Sequence, residues 1–75
     1  MKWTRKTKEF ECRDYISADG KFRIRAMDFY DKPRWREHIA NGGSYREWWA
    51  LLDENENILK WSKTVKRLKE YAETI

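Results

Sequence analysis

Basic and apolar side chains alternate along residues 21–26, which have the sequence Lys-Phe-Arg-Ile-Arg-Ala. Successive side chains of a β-strand point to opposite faces of the sheet, so this spacing predicts that Lys21, Arg23 and Arg25 share one face. Arginine can bind a phosphate through two parallel hydrogen bonds, and a basic strand face can enter a nucleic-acid groove. The spacing therefore predicts a nucleic-acid-binding face, against the simpler interpretation that solvent and acidic neighbours neutralise the charge.

The preceding residues predict the other arm of a β-hairpin. Polar and apolar side chains alternate along residues 9–16, and the Ala-Asp-Gly run at residues 18–20 favours a tight turn. A three-residue loop would place Ile16 opposite Phe22 and gather the apolar side chains on one face, so we expect this register. A two-residue turn at residues 19–20 would shift the pairing by one residue.

The two registers place the candidate site differently. With the three-residue loop, Tyr15 lies opposite Arg23 and Arg13 lies opposite Arg25, all on the outer face. With the two-residue turn, Tyr15 lies opposite Ile24 instead. The expected register predicts a site in which the ring of Tyr15 stacks on a base of DNA or RNA while the cations bind phosphate. The residues of this site are Arg13, Tyr15, Lys21, Arg23 and Arg25.

Charge is modest overall and unevenly spread along the chain. The 75 residues include 17 basic and 13 acidic side chains, which gives a formal net charge of +4. Residues 1–8 contain four basic and no acidic side chains, and could add a flexible basic arm to a single domain of residues 1–75. An acidic block could steer a basic partner, and it consists of Glu47, Asp53, Glu54 and Glu56.

Five tryptophans are a heavy aromatic load for a chain of 75 residues. A domain of this size buries only about 60% of the surface of its unfolded chain, so we do not expect every large ring to be hidden. Tryptophan, tyrosine and arginine are enriched at protein-binding hot spots. A second hypothesis follows: the chain is an inhibitor or adaptor that binds another protein through Trp35, Trp48 and Trp49. Pairing of two copies in a symmetric homodimer is a related option.

The sequence contains no motif for catalysis, for a metal or for a cofactor. His38 is the only histidine and has no nucleophile or second acid beside it by motif. Cys12 lies at an inward position of the predicted strand, so we expect it to be a small core residue. Asp14 is a polar exception on the same face. We expect a protein that is not an enzyme. One cysteine fits a reducing compartment, and no apolar run reaches 18 residues, so we expect a cytoplasmic protein without a membrane partner.

The middle of the chain leaves two alternatives open in each of two segments. Residues 33–40 form either a short helix that begins at a proline and ends at a Gly-Gly pair, or a mobile loop. Residues 45–62 favour a hairpin that brings Trp49 near Trp61. The alternative is a helix that starts at a capping box formed by Ser44 and Glu47.

The C-terminal segment predicts an amphipathic helix. Ser62 or Thr64 can cap it, and apolar residues then recur at helical spacing on one face. That stripe consists of Trp61, Val65, Leu68, Ala72 and Ile75. The predicted fold is therefore α+β: an antiparallel sheet of three or four strands, with the C-terminal helix packed on one face.

The run from Trp49 to Ala72 resembles the tail of many small bacteriophage and mobile-element proteins, in which a hairpin around an acidic, Asn-rich turn leads into a Thr-capped, Lys-rich helix. Such turns commonly carry glycine where this chain has Glu56. The order of strands followed by a helix is similar to the DNA-binding domains of transposon integrases and plant AP2 factors. The resemblance implies a phage or mobile-element binding module, directed at nucleic acid or at a host protein in the host cytoplasm.

Overall fold

The computed structural model of the protein describes residues 2–6 and 14–75. The strands are β1 (Trp3–Lys6), β2 (Asp14–Ser17), β3 (Phe22–Ala26), β4 (Trp49–Asp53) and β5 (Ile58–Ser62). The helices are α1 (Met27–Tyr30), α2 (Lys32–Ala40) and α3 (Val65–Ala72). The five strands form one antiparallel sheet in the order β1-β2-β3-β4-β5, which together with the C-terminal helix gives the α+β fold expected from the sequence.

The sheet has one strand more than the larger of the two predicted counts. The additional strand is β1, which pairs with β2 so that Trp3 lies opposite Ser17. The side chain of Trp3 packs against the hydrophobic core, and this contact fixes a segment that the sequence suggested as part of a flexible arm. The predicted first strand also included Cys12 and Arg13, which lie outside the described residues.

The expected register of the first hairpin is wrong. Tyr15 lies opposite Ile24 and Ile16 lies opposite Arg23, which is the pairing that a two-residue turn would give. Directly opposed residues share a face of an antiparallel sheet. The one-residue shift therefore places Tyr15 on the face opposite to the arginines of β3.

The reason for this register lies in the turn between β2 and β3. The hydroxyl of Ser17 accepts a hydrogen bond from the backbone N–H of Phe22 at 2.9 Å and donates one to the carboxylate of Asp19 at 2.7 Å. The backbone N–H of Gly20 donates to the carbonyl of Ser17 at 2.9 Å, and Gly20 adopts a φ of +76°, a left-handed conformation that glycine tolerates best. The hydroxyl of Ser17 thus closes the hairpin in the observed register.

The first face of the sheet packs against α3. Ile24 of β3 and Leu51 of β4 are fully buried against Leu68 and Ala72 of the helix, with Trp3, Tyr15, Phe22, Trp49, Val65 and Tyr71 around them. The hydroxyl of Thr64 accepts a hydrogen bond from the backbone N–H of Arg67 at 3.3 Å and caps the helix, as its spacing predicted. This amphipathic helix supplies one wall of the core.

The second face is covered in part by α1 and α2. Met27, Ala50 and Leu52 are fully buried there, and Trp35, Ile58 and Trp61 pack against them. Residues 33–40 are therefore helical, and the alternative of a loop is wrong. None of the helices in the described ranges is long and apolar enough to cross a membrane.

The second hairpin is confirmed, and the alternative of a helix over residues 45–62 is wrong. Its register differs from the expected one, because Trp61 lies opposite Ala50 while Trp49 lies opposite Ser62. Trp49 and Trp61 therefore face opposite sides of the sheet, and each contributes to a different half of the core.

Candidate functional site

Two of the arginines predicted to bind nucleic acid, Arg23 and Arg25, form ion pairs with carboxylates of the same chain. The carboxylate of Asp14 is 6% exposed, and it accepts hydrogen bonds from Nε of Arg25 at 3.3 Å and from Nη2 at 3.1 Å. The side chain of Arg25 is itself only 13% exposed. Burial alone would lower the pKa of Arg25, but its hydrogen bonds to Asp14 and Glu56 and their negative charge raise that pKa above the ordinary value.

Arg23 joins the same cluster from the next position along its face. Its Nε lies 3.4 Å from Oδ2 of Asp14, and its Nη1 lies 3.8 Å from Oε1 of Glu56. The sequence placed Asp14 toward the core and the two arginines outward. In the structure all three side chains meet on one face, because the one-residue shift of register brings the carboxylate beneath the guanidinium groups. The prediction that these guanidinium groups face outward without internal partners is wrong.

The remaining members of the predicted nucleic-acid site are dispersed. Tyr15 lies on the opposite face, where its ring packs edge-to-face against Trp49 at 6.1 Å and the Nζ of Lys69 lies 4.8 Å from its centroid. Lys21 is exposed at the turn between β2 and β3. Arg13 lies outside the described residues. The structure therefore does not assemble Tyr15, Lys21, Arg23 and Arg25 into one surface.

The acidic turn at residues 53–57 ties three segments together. Glu56 has a φ of 64°, which explains why such turns commonly carry glycine at this position. Its carboxylate accepts a hydrogen bond from Nη1 of Arg25 at 3.1 Å, and its carbonyl accepts one from Nη1 of Arg34 in α2 at 2.8 Å. The backbone N–H of Asn57 holds the pKa of Asp53 below its usual range. Part of the predicted acidic block thus has a structural role.

His38 forms a second internal cluster with Trp61 and Glu47. Its ring is half-buried and stacks on the indole of Trp61, with centroids 4.4 Å apart and planes within 8°. Its Nε2 lies 3.2 Å from Oε1 of Glu47. The hydrogen bond from the backbone N–H of Ser44, and then the contact with His38, lower the pKa of Glu47. A Cβ on Gly43 would overlap the imidazole, so the close approach of the ring requires glycine.

The three tryptophans predicted to bind protein lie in different environments. Trp35 packs against the second core cluster, and its buried indole N–H has no hydrogen-bond partner among the described residues. Trp49 is half-buried against the first core cluster. Trp48, in contrast, is 37% exposed. Only Trp48 of the three therefore presents a substantially exposed ring.

Trp48 and Trp49 border a cleft of about 360 Å³ beside the junction of β3 and α1. The other residues that line this aromatic cleft are Ala26, Asp28, Phe29 and Tyr30. Phe29 is 71% exposed, and its ring lies nearly perpendicular to that of Tyr30, with centroids 4.8 Å apart and an interplanar angle of 78°. The backbone N–H of Met27 donates to the carbonyl of Trp48 at 2.7 Å, which joins the two walls of the cleft.

The sequence reasoning missed Asp28, Phe29 and Tyr30. The sequence contained an indication of this site. Phe29 and Tyr30 are adjacent aromatic residues at the end of an alternating segment, just before Asp31 and Pro33 interrupt the strand. Trp48 was found, but its neighbours in the cleft come from a segment about 20 residues earlier, and only the tertiary fold brings them together.

Among residues 2–6 and 14–75, no three histidine, cysteine, aspartate or glutamate side chains lie close enough together to hold a metal ion. Comparison of the whole chain with models of protein families, with curated proteins and with solved structures finds no match.

Proposed function

We propose that the chain is a small binding module that holds another protein through the aromatic cleft. The observation that carries this proposal is the gathering of exposed rings from two separate segments at one place. Phe29 and Trp48 are 71% and 37% exposed, although other rings of the domain pack against its two core clusters and are partly buried there. Burying a large apolar side chain contributes about 1.5–3 kcal/mol, and a partner that covers these rings would gain that free energy.

The size of the domain limits what the cleft can do alone. A stable protein interface buries about 800 Å² on each partner. The chain exposes 5386 Å² in total, so such an interface would cover a substantial fraction of the molecule. The cleft therefore acts as the anchor of a larger contact, in the way that a few buried aromatic residues dominate most interfaces.

Selection of peptides on the purified domain tests the proposal without knowledge of the partner. A random-peptide library is selected on the native protein, and each enriched peptide is then measured on Phe29→Ala and Trp48→Ala. We expect losses of about tenfold or more on each variant, because hot-spot truncations cost more than about 1.4 kcal/mol. Tyr45→Ala is the matched control, since Tyr45 is 65% exposed and does not line the cleft.

The outcome that removes the proposal is equally specific. Circular dichroism must first show that both cleft variants keep the fold, as expected for rings on the surface. If the enriched peptides then bind these variants as tightly as they bind the native protein, the aromatic cleft is not the binding surface.

Nucleic-acid binding, the first hypothesis from the sequence, becomes the second candidate function, and the exposed start of α3 favours it. Lys66 and Arg67 are exposed there, and neither forms an ion pair with a described residue. The test is gel retardation of DNA and RNA at low and high salt, with the Lys66→Glu, Arg67→Glu double variant as the probe. Phosphate contacts predict affinity that falls steeply with salt and is lost in this variant. No retardation at low salt would eliminate the hypothesis.

The double variant Arg23→Glu, Arg25→Glu is a poor probe of nucleic-acid binding. It places two new carboxylates beside Asp14, so the fold itself would be lost, and loss of binding would carry no information. An origin in a phage or mobile element, and a role as an inhibitor or adaptor, stay proposals drawn from the resemblance of residues 49–72.

A further inference from the structure

The aromatic cleft is lined by side chains of a type that attracts a cation. The faces of aromatic rings carry negative electrostatic potential, and a cation is attracted within about 6 Å of a ring centroid. Phe29 and Tyr30 form a corner, because their planes meet at 78° with centroids 4.8 Å apart. Trp48 and Trp49 line the same cleft from the other segment. Tryptophan is the most favourable ring for this interaction.

The charge of the cleft also favours a cationic ligand. Among the described residues, Asp28 is the only charged residue that lines the cleft, and its half-buried carboxylate forms no hydrogen bond or ion pair with any of them. Several other carboxylates are bonded internally: Asp14, Asp19, Asp31, Glu47, Asp53 and Glu56. A half-buried negative charge beside four aromatic rings, with no basic residue in the lining, is complementary to a positively charged group.

The chain already forms such contacts elsewhere. Nζ of Lys60 lies 4.8 Å from the centroid of Tyr71, and Nζ of Lys69 lies 4.8 Å from that of Tyr15. Among the described residues, no lysine or arginine lies over the ring of Phe29 or of Trp48. These two exposed rings are therefore open to a cation from outside.

We infer that the aromatic cleft binds the methylated ammonium group of a lysine side chain on a protein partner. This inference rests on the proposed function and names the group that the anchor holds. Methylation keeps the positive charge of lysine, and aromatic cages bind quaternary ammonium groups through cation–π attraction. The cleft, at about 360 Å³, lies within the size range of small-ligand pockets and leaves room for the stem of the side chain.

The experiment compares two ligands of the same shape. One is a short peptide with a single trimethyllysine, and the other is the same peptide with a quaternary carbon in place of the nitrogen. Binding is followed by nuclear magnetic resonance of the five tryptophan indole N–H groups. We expect the signals of Trp48 and Trp49 to shift, and the neutral peptide to bind about tenfold more weakly, which corresponds to about 1.4 kcal/mol of cation–π attraction.

Paired variants separate the roles of ring and charge. Trp48→Ala and Asp28→Asn should each weaken binding of the trimethyllysine peptide by about tenfold. Tyr45→Ala and Glu70→Gln are the controls, because both residues are exposed, lie outside the cleft and match the changes in ring and in charge. Phe29→Ala serves as a second ring variant in case Trp48→Ala perturbs the start of β4.

Each alternative result overturns the inference in a way that can be distinguished from failure of the proposed function. If the neutral peptide binds as tightly as the charged one, or if Asp28→Asn has no effect, the cleft holds an apolar group and the inference is overturned while the proposed function stands. If neither peptide shifts the indole signals, the inference is also overturned, and the peptide selection decides the proposed function separately.

Discussion

Replacement of Asp14 by alanine should remove a large fraction of the stability of the domain. The carboxylate is 6% exposed and neutralises Arg25, whose side chain is 13% exposed. Breaking a buried ion pair by removing one partner costs about 3–5 kcal/mol, because a charge is left buried without compensation. Arg25 keeps its hydrogen bond to Glu56, so we expect the lower end, about 3 kcal/mol.

The expected loss is large compared with the total free energy of unfolding of the domain. Native domains have about 0.05–0.15 kcal/mol of stability per residue, which gives about 4–11 kcal/mol for a chain of this length. For a domain of this size, each kcal/mol moves the melting temperature by about 4–8 °C, so Asp14→Ala should lower Tm by about 12–24 °C. Urea unfolding followed by tryptophan fluorescence and circular dichroism measures the free energy directly.

Two further variants isolate the physical cause. Glu56→Ala removes the carboxylate at the other end of the cluster, which is 55% exposed, and should cost no more than about 1 kcal/mol. The double variant Asp14→Leu, Arg25→Met removes both buried charges and should recover most of the stability lost by Asp14→Ala. If Asp14→Ala costs less than about 1 kcal/mol, or if the double variant is no more stable than the single one, the reasoning about an uncompensated charge is refuted.

Three other changes follow from the turns and from the histidine cluster. Gly43→Ala forces its Cβ against the imidazole of His38 and should destabilise the domain by about 1–3 kcal/mol, with a change in tryptophan fluorescence; an unchanged unfolding curve would contradict the packing. The backbone N–H of Ser44 and the ring of His38 hold the pKa of Glu47 below its ordinary 4.5, so its stabilisation is present above pH 4.5 and is lost as the pH falls through the lowered pKa. Glu47→Gln should therefore reduce the loss of stability on acidification, and an identical acid transition would count against the assignment. Glu56→Gly removes the cost of a left-handed backbone, about 1–2 kcal/mol, but also removes an exposed ion pair. Urea unfolding should therefore show no net decrease in the free energy of unfolding. A clear decrease would show that the ion pair contributes more than the backbone conformation costs.

Local patterns predicted the elements that depend on local physics. The spacing of Val65, Leu68 and Ala72 and the hydroxyl of Thr64 predicted α3 with its buried face and its cap. Alternation of side chains predicted both hairpins, and the proline at the start of residues 33–40 indicated the helix there. In each case a short stretch of chain contains the whole signal.

The register of the first hairpin could not be predicted in the same way. It depends on the hydroxyl of Ser17 closing the turn, and on Asp14 finding guanidinium partners once the strands are aligned. The partner at the outer end of the cluster, Glu56, lies more than 30 residues later in the chain. The three-residue loop was favoured because it gathers the apolar residues on one face, with Asp14 as a polar exception. In the structure Asp14 is instead the counter-ion of Arg23 and Arg25.

The candidate site was predicted only in part, because it too depends on contacts between segments that are distant in the sequence. Exposure of a tryptophan could be expected from the size of the domain, and Trp48 meets that expectation. Phe29 and Asp28 become neighbours of Trp48 only because β3 pairs with β4 and α1 begins where that pairing ends. A contact between segments so far apart in sequence leaves no periodic pattern to read.

The turn at residues 53–57 bears on how this protein can be engineered. Exposed polar turns are the usual places for an epitope tag, a new pair of chain termini or a protease site. Here the carbonyl and carboxylate of Glu56 fasten α2 and β3 through Arg34 and Arg25, so an insertion would detach a helix as well as lengthen a turn.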